Sequence, residues 1–251
     1  MDILSVLFRW LHVAAGILWI GHLYFFNFVN ASLAGVLDGE TKKKVVPEMM
    51  PRALYWFRWG AAYTWITGIL LLLLVFYHGG LMFEQGVEWG VGATVMLIVT
   101  FGGFALYDVL AKGELAKNSK AFAAVAFVLI VLVTYLMIGW GEFSYRAYNI
   151  HIGTLFGTIM AANVWMRIWP SQQKIIAAVK GGTAPDPSLV ALAGMRSRHN
   201  TYLSVPLLYT MINAHTVVPG ADSPFYLFAV VLVGWGAVMY MYKKSGQLKG
   251  F

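Results

Sequence analysis

The 251-residue chain is 59% hydrophobic and 12% charged, with a mean hydropathy of +0.68 and a net charge of +7. Soluble domains carry about 25% charged residues, so half the polar coat that water on every side would demand is missing. This excludes a soluble enzyme, a disordered protein and a nucleic-acid binder, the last because the basic residues gather in particular loops, as membrane topology requires. The absence of cysteine also excludes disulfides, thiolate metal sites and covalently attached haem c, leaving His, Met, carboxylates or packing to hold any cofactor.

Apolar runs of about 20 residues match the thickness of a hydrocarbon layer. They predict an all-α polytopic bundle, one transmembrane domain over 1–251, with spans at 3–29, 53–77, 89–110, 121–140, 146–168, 200–218 and 224–243. Asp2 stands where a signal peptide would carry its basic region, and Arg9, His12 and His22 interrupt the first apolar run, so the first span is expected to stay in the mature protein. Pro206 is expected to kink the sixth span. Gly181-Gly182 and Pro185-Asp186-Pro187 predict a long loop over 170–198, with a short interfacial helix at 174–180. Trp89, Trp140, Tyr145, Trp165, Trp169 and Tyr242 sit near span ends, as an aromatic belt does.

Of the 18 lysines and arginines, all but Arg9, Arg58 and Arg146 fall in or beside the first, third and fifth connections or in the C-terminal tail. The opposite connections carry Glu84, Glu88, Glu142 and Asp222. The positive-inside rule then predicts an external N-terminus and a cytoplasmic C-terminus.

Ionisable groups at membrane depth are costly and mark interior or cofactor-facing positions. At about 1.5 Å rise per residue, His12, His151 and His215 fall in the outer half of the bilayer, and His22 and His199 in the inner half. A haem with two axial histidines needs them on different helices at matching depth. The outer layer offers a pair among His12, His151 and His215, and the inner layer offers His22 with His199. Each of these histidines could equally be a hydrogen bond between helices, whereas His78 reads as a solvated loop residue. Arg9 lies at the outer level and Arg58 at the inner one; each is a candidate partner for a haem propionate or an anionic substrate, or simply reaches the interface. Asn27, Asn30, Asn163, Asn200 and Asn213 are candidates for hydrogen bonds to a polar ligand or between helices. Gly16, and the stripe Gly153, Gly157 and Ala161, suit close helix packing or the approach of a flat macrocycle.

Four stretches then carry a resemblance. Leu11-His12-Val13-Ala14-Ala15-Gly16, with Trp19-Ile20-Gly21 and Tyr24 to Asn30, is similar to the first helix of the bacterial membrane-bound urate oxidase (urate hydroxylase) family. Arg52 to Ala61, Val164-Trp165 with Ile168-Trp169-Pro170, and Arg198 to Pro206 agree with it. The resemblance implies oxidation of urate to 5-hydroxyisourate with electrons passed to a haem protein. It also implies a further helix and a cytochrome c domain, whereas this sequence ends at Phe251 and has no cysteine. A separate cytochrome c or another respiratory-chain acceptor is therefore expected, at a bacterial inner membrane. The first-helix His followed by Gly and Trp also resembles other haem-binding membrane families, protoporphyrinogen oxidase and copper-resistance proteins among them.

The expected function is thus a membrane oxidoreductase with one or two haem b groups, acting on urate. Arg58 and Asn27 are the expected substrate contacts, and Arg9 and Arg58 the expected contacts to haem. The alternative is a cytochrome b-type subunit that carries electrons within a larger complex and has no urate chemistry. A cofactor-free transporter or structural subunit is the third possibility.

Overall fold

A computed structural model describes residues 2–213 and 223–248, and these contain helices and no strand. Helix α1 (Asp2–Tyr24) runs through a π-helical segment, Phe25–Asn30, into α2 (Ala31–Val36). Helix α3 (Gly39–Leu71) runs into a second π segment, Leu72–Tyr77. After α4 (Val91–Leu110), a 3₁₀ turn and α5 (Ser119–Gly139), helix α6 (Tyr145–Asn163) passes through a third π segment, Val164–Ile168, into α7 (Trp169–Lys180). Helices α8 (Pro187–Asn213) and α9 (Pro224–Ser245) complete the described chain.

Among the described residues, five helical stretches are long and apolar enough to cross a membrane: Ile3–Val36, Gly39–Tyr77, Val91–Leu110, Ser119–Gly139 and Pro224–Ser245. The fifth and sixth expected spans correspond to α6 and α8. Both are helical but carry polar side chains such as Asn149, His151, Arg196 and Asn200 in their buried faces, and they fall short of that apolarity.

Several boundaries differ from expectation. The first two helices extend well past the predicted spans, α3 starting at Gly39 and not at 53. Its extra turns are water-compatible, with exposed ion pairs Glu40–Lys43 and Glu48–Arg52, and Asp38 caps it by accepting from the Thr41 N–H and hydroxyl. Those two bonds hold the Asp38 carboxyl below the usual carboxylate range. In the connection expected over 170–198, the short helix at 174–180 is present within α7, but the loop is a correction, since α8 already begins at Pro187. Pro187 at a first helical position and Asp186, which accepts from the Ser188 N–H at 2.8 Å, start α8 early. The turn between is made at Gly182, whose φ of +75° suits glycine.

The chain divides into two compact units. In the first (Met1–Ile69, Met160–Ser204 and Gly234–Phe251), small residues on α3 let α1 approach its backbone. A side chain at Gly60 would come within 3.1 Å of the Trp19 backbone nitrogen, and one at Gly68 within 3.0 Å of the His12 ring. Trp19, Leu23, Phe57, Ala61 and Val164 form its apolar centre. Without a hydrophobic drive between helices in lipid, such close packing is the main adhesive.

In the second unit (Leu70–Ile159 and Val205–Val233), α6 is the most enclosed element, with Ala147, His151, Ile152 and Phe156 at 2% exposure or less. Gly153 admits the Thr210 side chain of α8, and Gly92 of α4 lies against the Trp140 carbonyl. A β-carbon at either glycine would fall inside van der Waals contact.

Candidate functional site

The site grows out of the first π segment. Its wide turn, closed by the Ala31 N–H donating to the Phe26 carbonyl, carries Phe26, Asn27 and Asn30 into the wall of a cavity of about 470 Å³. Phe57 of α3, Gln172 of α7, Ser197 and Arg198 of α8, and Tyr242 of α9 also line it, and none of its described lining residues is acidic.

Asn27 ties these elements together. Its amide donates to the Leu23 carbonyl at 2.9 Å and to Ser197 Oγ at 2.8 Å, and its oxygen accepts from Tyr242 OH at 2.8 Å. Both of its N–H donors are therefore spent within the protein. Tyr24 OH and Ser204 Oγ, 2.9 Å apart, add a second tie between α1 and α8. The Arg198 guanidinium stands 5.4 Å from the centre of the Tyr242 ring, a cation–π contact that steadies it beside the cavity.

On another face of α8 lies a polar cluster with no exposure: Arg196, Asn163 and Asn200. Asn163 donates to Asn200 Oδ1 at 2.9 Å, Asn200 donates to the Met160 carbonyl at 2.9 Å, and Arg196 donates to Asn163 Oδ1 at 3.4 Å. Buried amides satisfied in this way fix one mutual arrangement of their helices.

Among the described residues no three His, Cys, Asp or Glu side chains converge as a metal site. His12 donates from Nδ1 to the Thr64 carbonyl at 2.9 Å, with Thr67 Oγ1 at 3.2 Å. His22 donates from Nδ1 to the Leu18 carbonyl at 2.7 Å and packs beside Phe26. A backbone carbonyl on Nδ1 fixes the neutral tautomer with the lone pair on Nε2, the arrangement usual for metal-bound imidazoles. His151 differs: Nδ1 donates to the Ala147 carbonyl at 2.7 Å, Nε2 accepts from Tyr77 OH at 3.0 Å, and Tyr77 and Phe143 enclose the ring. Its two nitrogens are already engaged. His199 is half-buried on α8 between Arg198 and Asn200, His78 is exposed, and His215 lies outside the described residues.

Of the other expected site residues, Asn27 and Asn30 line the cavity. Arg9 is exposed on α1, and Arg58 lies outside the cavity lining, stacked 4.0 Å from the Trp169 ring centre. Asn213 donates to Asn149 in the second unit. Arg198, Tyr242, Ser197 and Gln172 were not anticipated as site residues. Arg198 counted as a loop charge, and the helix-start signal at Asp186-Pro187 is what would have put it on α8.

A family model described as urate oxidase N-terminal matches residues 34–249. No curated protein and no solved structure matches the chain. Three of the four stretches that carry the resemblance lie inside the matched region, and the first-helix stretch precedes it. With most of its length matched, the chain belongs to the urate oxidase N-terminal family.

Proposed function

We propose that this member of the urate oxidase N-terminal family is a membrane oxidoreductase that binds urate in the Asn30–Arg198 cavity and delivers electrons to a cytochrome c or another respiratory-chain acceptor. The observation that carries the reading is the lining of that cavity: one cation, carboxamides, aromatic rings and no described acid in about 470 Å³. Urate at neutral pH is a flat monoanion edged with N–H donors and carbonyl acceptors. Arg198 answers its charge, Asn30 and Gln172 answer its edge, and Phe26 and Phe57 offer flat walls. Asn27, with its donors spent, acts as a positioning residue that holds Ser197 and Tyr242 in the wall.

In the overall conversion urate loses two electrons, water adds at a ring carbon, and two protons are released, giving 5-hydroxyisourate. One or two haem b groups, when bound, would accept those electrons one at a time. His12 and His22 are the residues that would hold such a group, because each has Nδ1 fixed by a backbone carbonyl, whereas His151 would first have to give up Tyr77. With the positive-inside orientation at a bacterial inner membrane, the cavity, flanked in sequence by Lys174, Lys243 and Lys244, opens toward the cytoplasm.

The test is urate-dependent reduction of cytochrome c, or of a soluble one-electron dye, by the purified chain in nanodiscs. Wild type should turn over, and Arg198→Gln should raise KM by about tenfold or more, the effect of losing one charge-assisted contact. Equal KM in both proteins, or no urate-dependent reduction with any acceptor, overturns the assignment; a b-type spectrum without urate turnover would instead favour an electron-transfer subunit. A pyridine haemochrome assay gives a separate readout. His12→Ala and His22→Ala should each lower haem content relative to protein, and full occupancy in both would remove these histidines as ligands.

A further inference from the structure

Arg58 lines no part of the cavity. It lies on α3, six residues or about 9 Å beyond the exposed Glu48–Arg52 pair and near the start of the expected second span, 53–77. This is the level of a membrane–water interface, and the aromatic residues around it agree: Tyr55 and Trp56 are 47% and 53% exposed, as belt residues are.

Its guanidinium lies over an aromatic face and has no hydrogen-bond or ion-pair partner among the described residues. The Trp169 ring centre is 4.0 Å from Cζ, with Trp165 at 5.7 Å and Tyr55 at 5.8 Å. The Trp165 indole N–H donates to the Arg58 carbonyl at 3.1 Å, locking the backbone below the side chain. No carboxylate among the described residues pairs with Arg58, and its Nε is buried without a hydrogen-bond partner. A planar cation stacked on an indole with its N–H fork unspent is suited to two oxygens of one tetrahedral anion.

We propose that Arg58 and Trp169 form a binding site for the phosphate of an anionic phospholipid. The phosphate would take the guanidinium edge, while exposed Tyr55 and Trp56 flank the glycerol and the first methylenes of the acyl chains. The interfacial depth and the exposed aromatic flank select a lipid over a soluble anion, since a free phosphate has no use for an apolar border.

The experiment compares wild type, Arg58→Gln and Arg58→Lys, each in nanodiscs of phosphatidylcholine alone and of equal parts phosphatidylcholine and phosphatidylglycerol. Retained lipid is read by native mass spectrometry after detergent extraction, and apparent Tm in the discs. Wild type should retain phosphatidylglycerol and gain Tm in the anionic discs. Arg58→Gln should lose about tenfold in retention, one charge-assisted contact's worth, with the Tm gain abolished; Arg58→Lys should fall between, keeping the charge without the fork. If Arg58→Gln does not fold, Trp169→Leu, which keeps the cation and removes its platform, should lower retention in the same direction. Unchanged retention in the folded variants overturns the proposal. So does displacement of the lipid by millimolar inorganic phosphate, which would make this a soluble-anion site, or loss of haem with lipid retention intact, which would make Arg58 a propionate partner.

Discussion

Gly92→Ala is expected to be the most damaging single methyl in the chain. Gly92 is buried in the first turn of α4, and its α-carbon faces the Trp140 carbonyl so closely that a β-carbon has no place. The obstacle is backbone, which cannot swing aside as a side-chain tip would, so α4 and the segment after α5 must separate. Overpacking of this kind costs about 3 kcal/mol, seen as a fall of about 6–12 °C in apparent Tm for a chain of this size. Gly102→Ala on the same helix is the control: nothing lies within 4 Å of the added carbon, and its Tm should be unchanged or slightly raised. Equal Tm values for the two variants would show that the α4 contact is not tight in solution.

Asn200→Leu is the second large effect. The substitution takes the acceptor from Asn163 Nδ2 and the donor from the Met160 carbonyl, both fully enclosed. Losing these two buried hydrogen bonds costs about 1–3 kcal/mol, and thermal unfolding followed by intrinsic tryptophan fluorescence should register it. Because Asn200 sits apart from the cavity lining, the surviving folded fraction should keep the wild-type KM for urate, the proposed substrate. A raised KM at unchanged Tm would instead give the amide cluster a direct part in ligand binding.

The apolar runs made the helical membrane architecture legible in the sequence, since runs of that length have few other uses. The helix ends were less so: α3 begins with charged turns such as Glu40-Thr41-Lys42-Lys43-Lys44, which read equally as loop or as solvated helix. The start of α8 was hidden for a related reason. Arg196 looks like a solvent-facing loop charge until it is seen to share an interior with Asn163. Asn27 was legible as a polar residue at membrane depth. Its partner Tyr242 stands 215 residues away, a distance across which one sequence carries no pairing signal. The histidines were legible as unusual residues, but the enclosure of His151 by Tyr77 and Phe143 comes from elements whose approach only tertiary packing sets.

The π segment at Phe25–Asn30 has a consequence for how this protein tolerates change. Its wide turn accommodates a residue that regular winding would not, so the helix beyond it keeps the phase it would have without that residue. Deleting a single residue between Phe25 and Asn30 would let the helix revert to uniform coiling with Ser32 still facing Ser245, while Asn27 and Asn30, which the wide turn carries into the wall, would lose their places there. The chamber therefore depends on a count of residues as much as on their identity, and a shortened relative would need a different set of side chains to rebuild it.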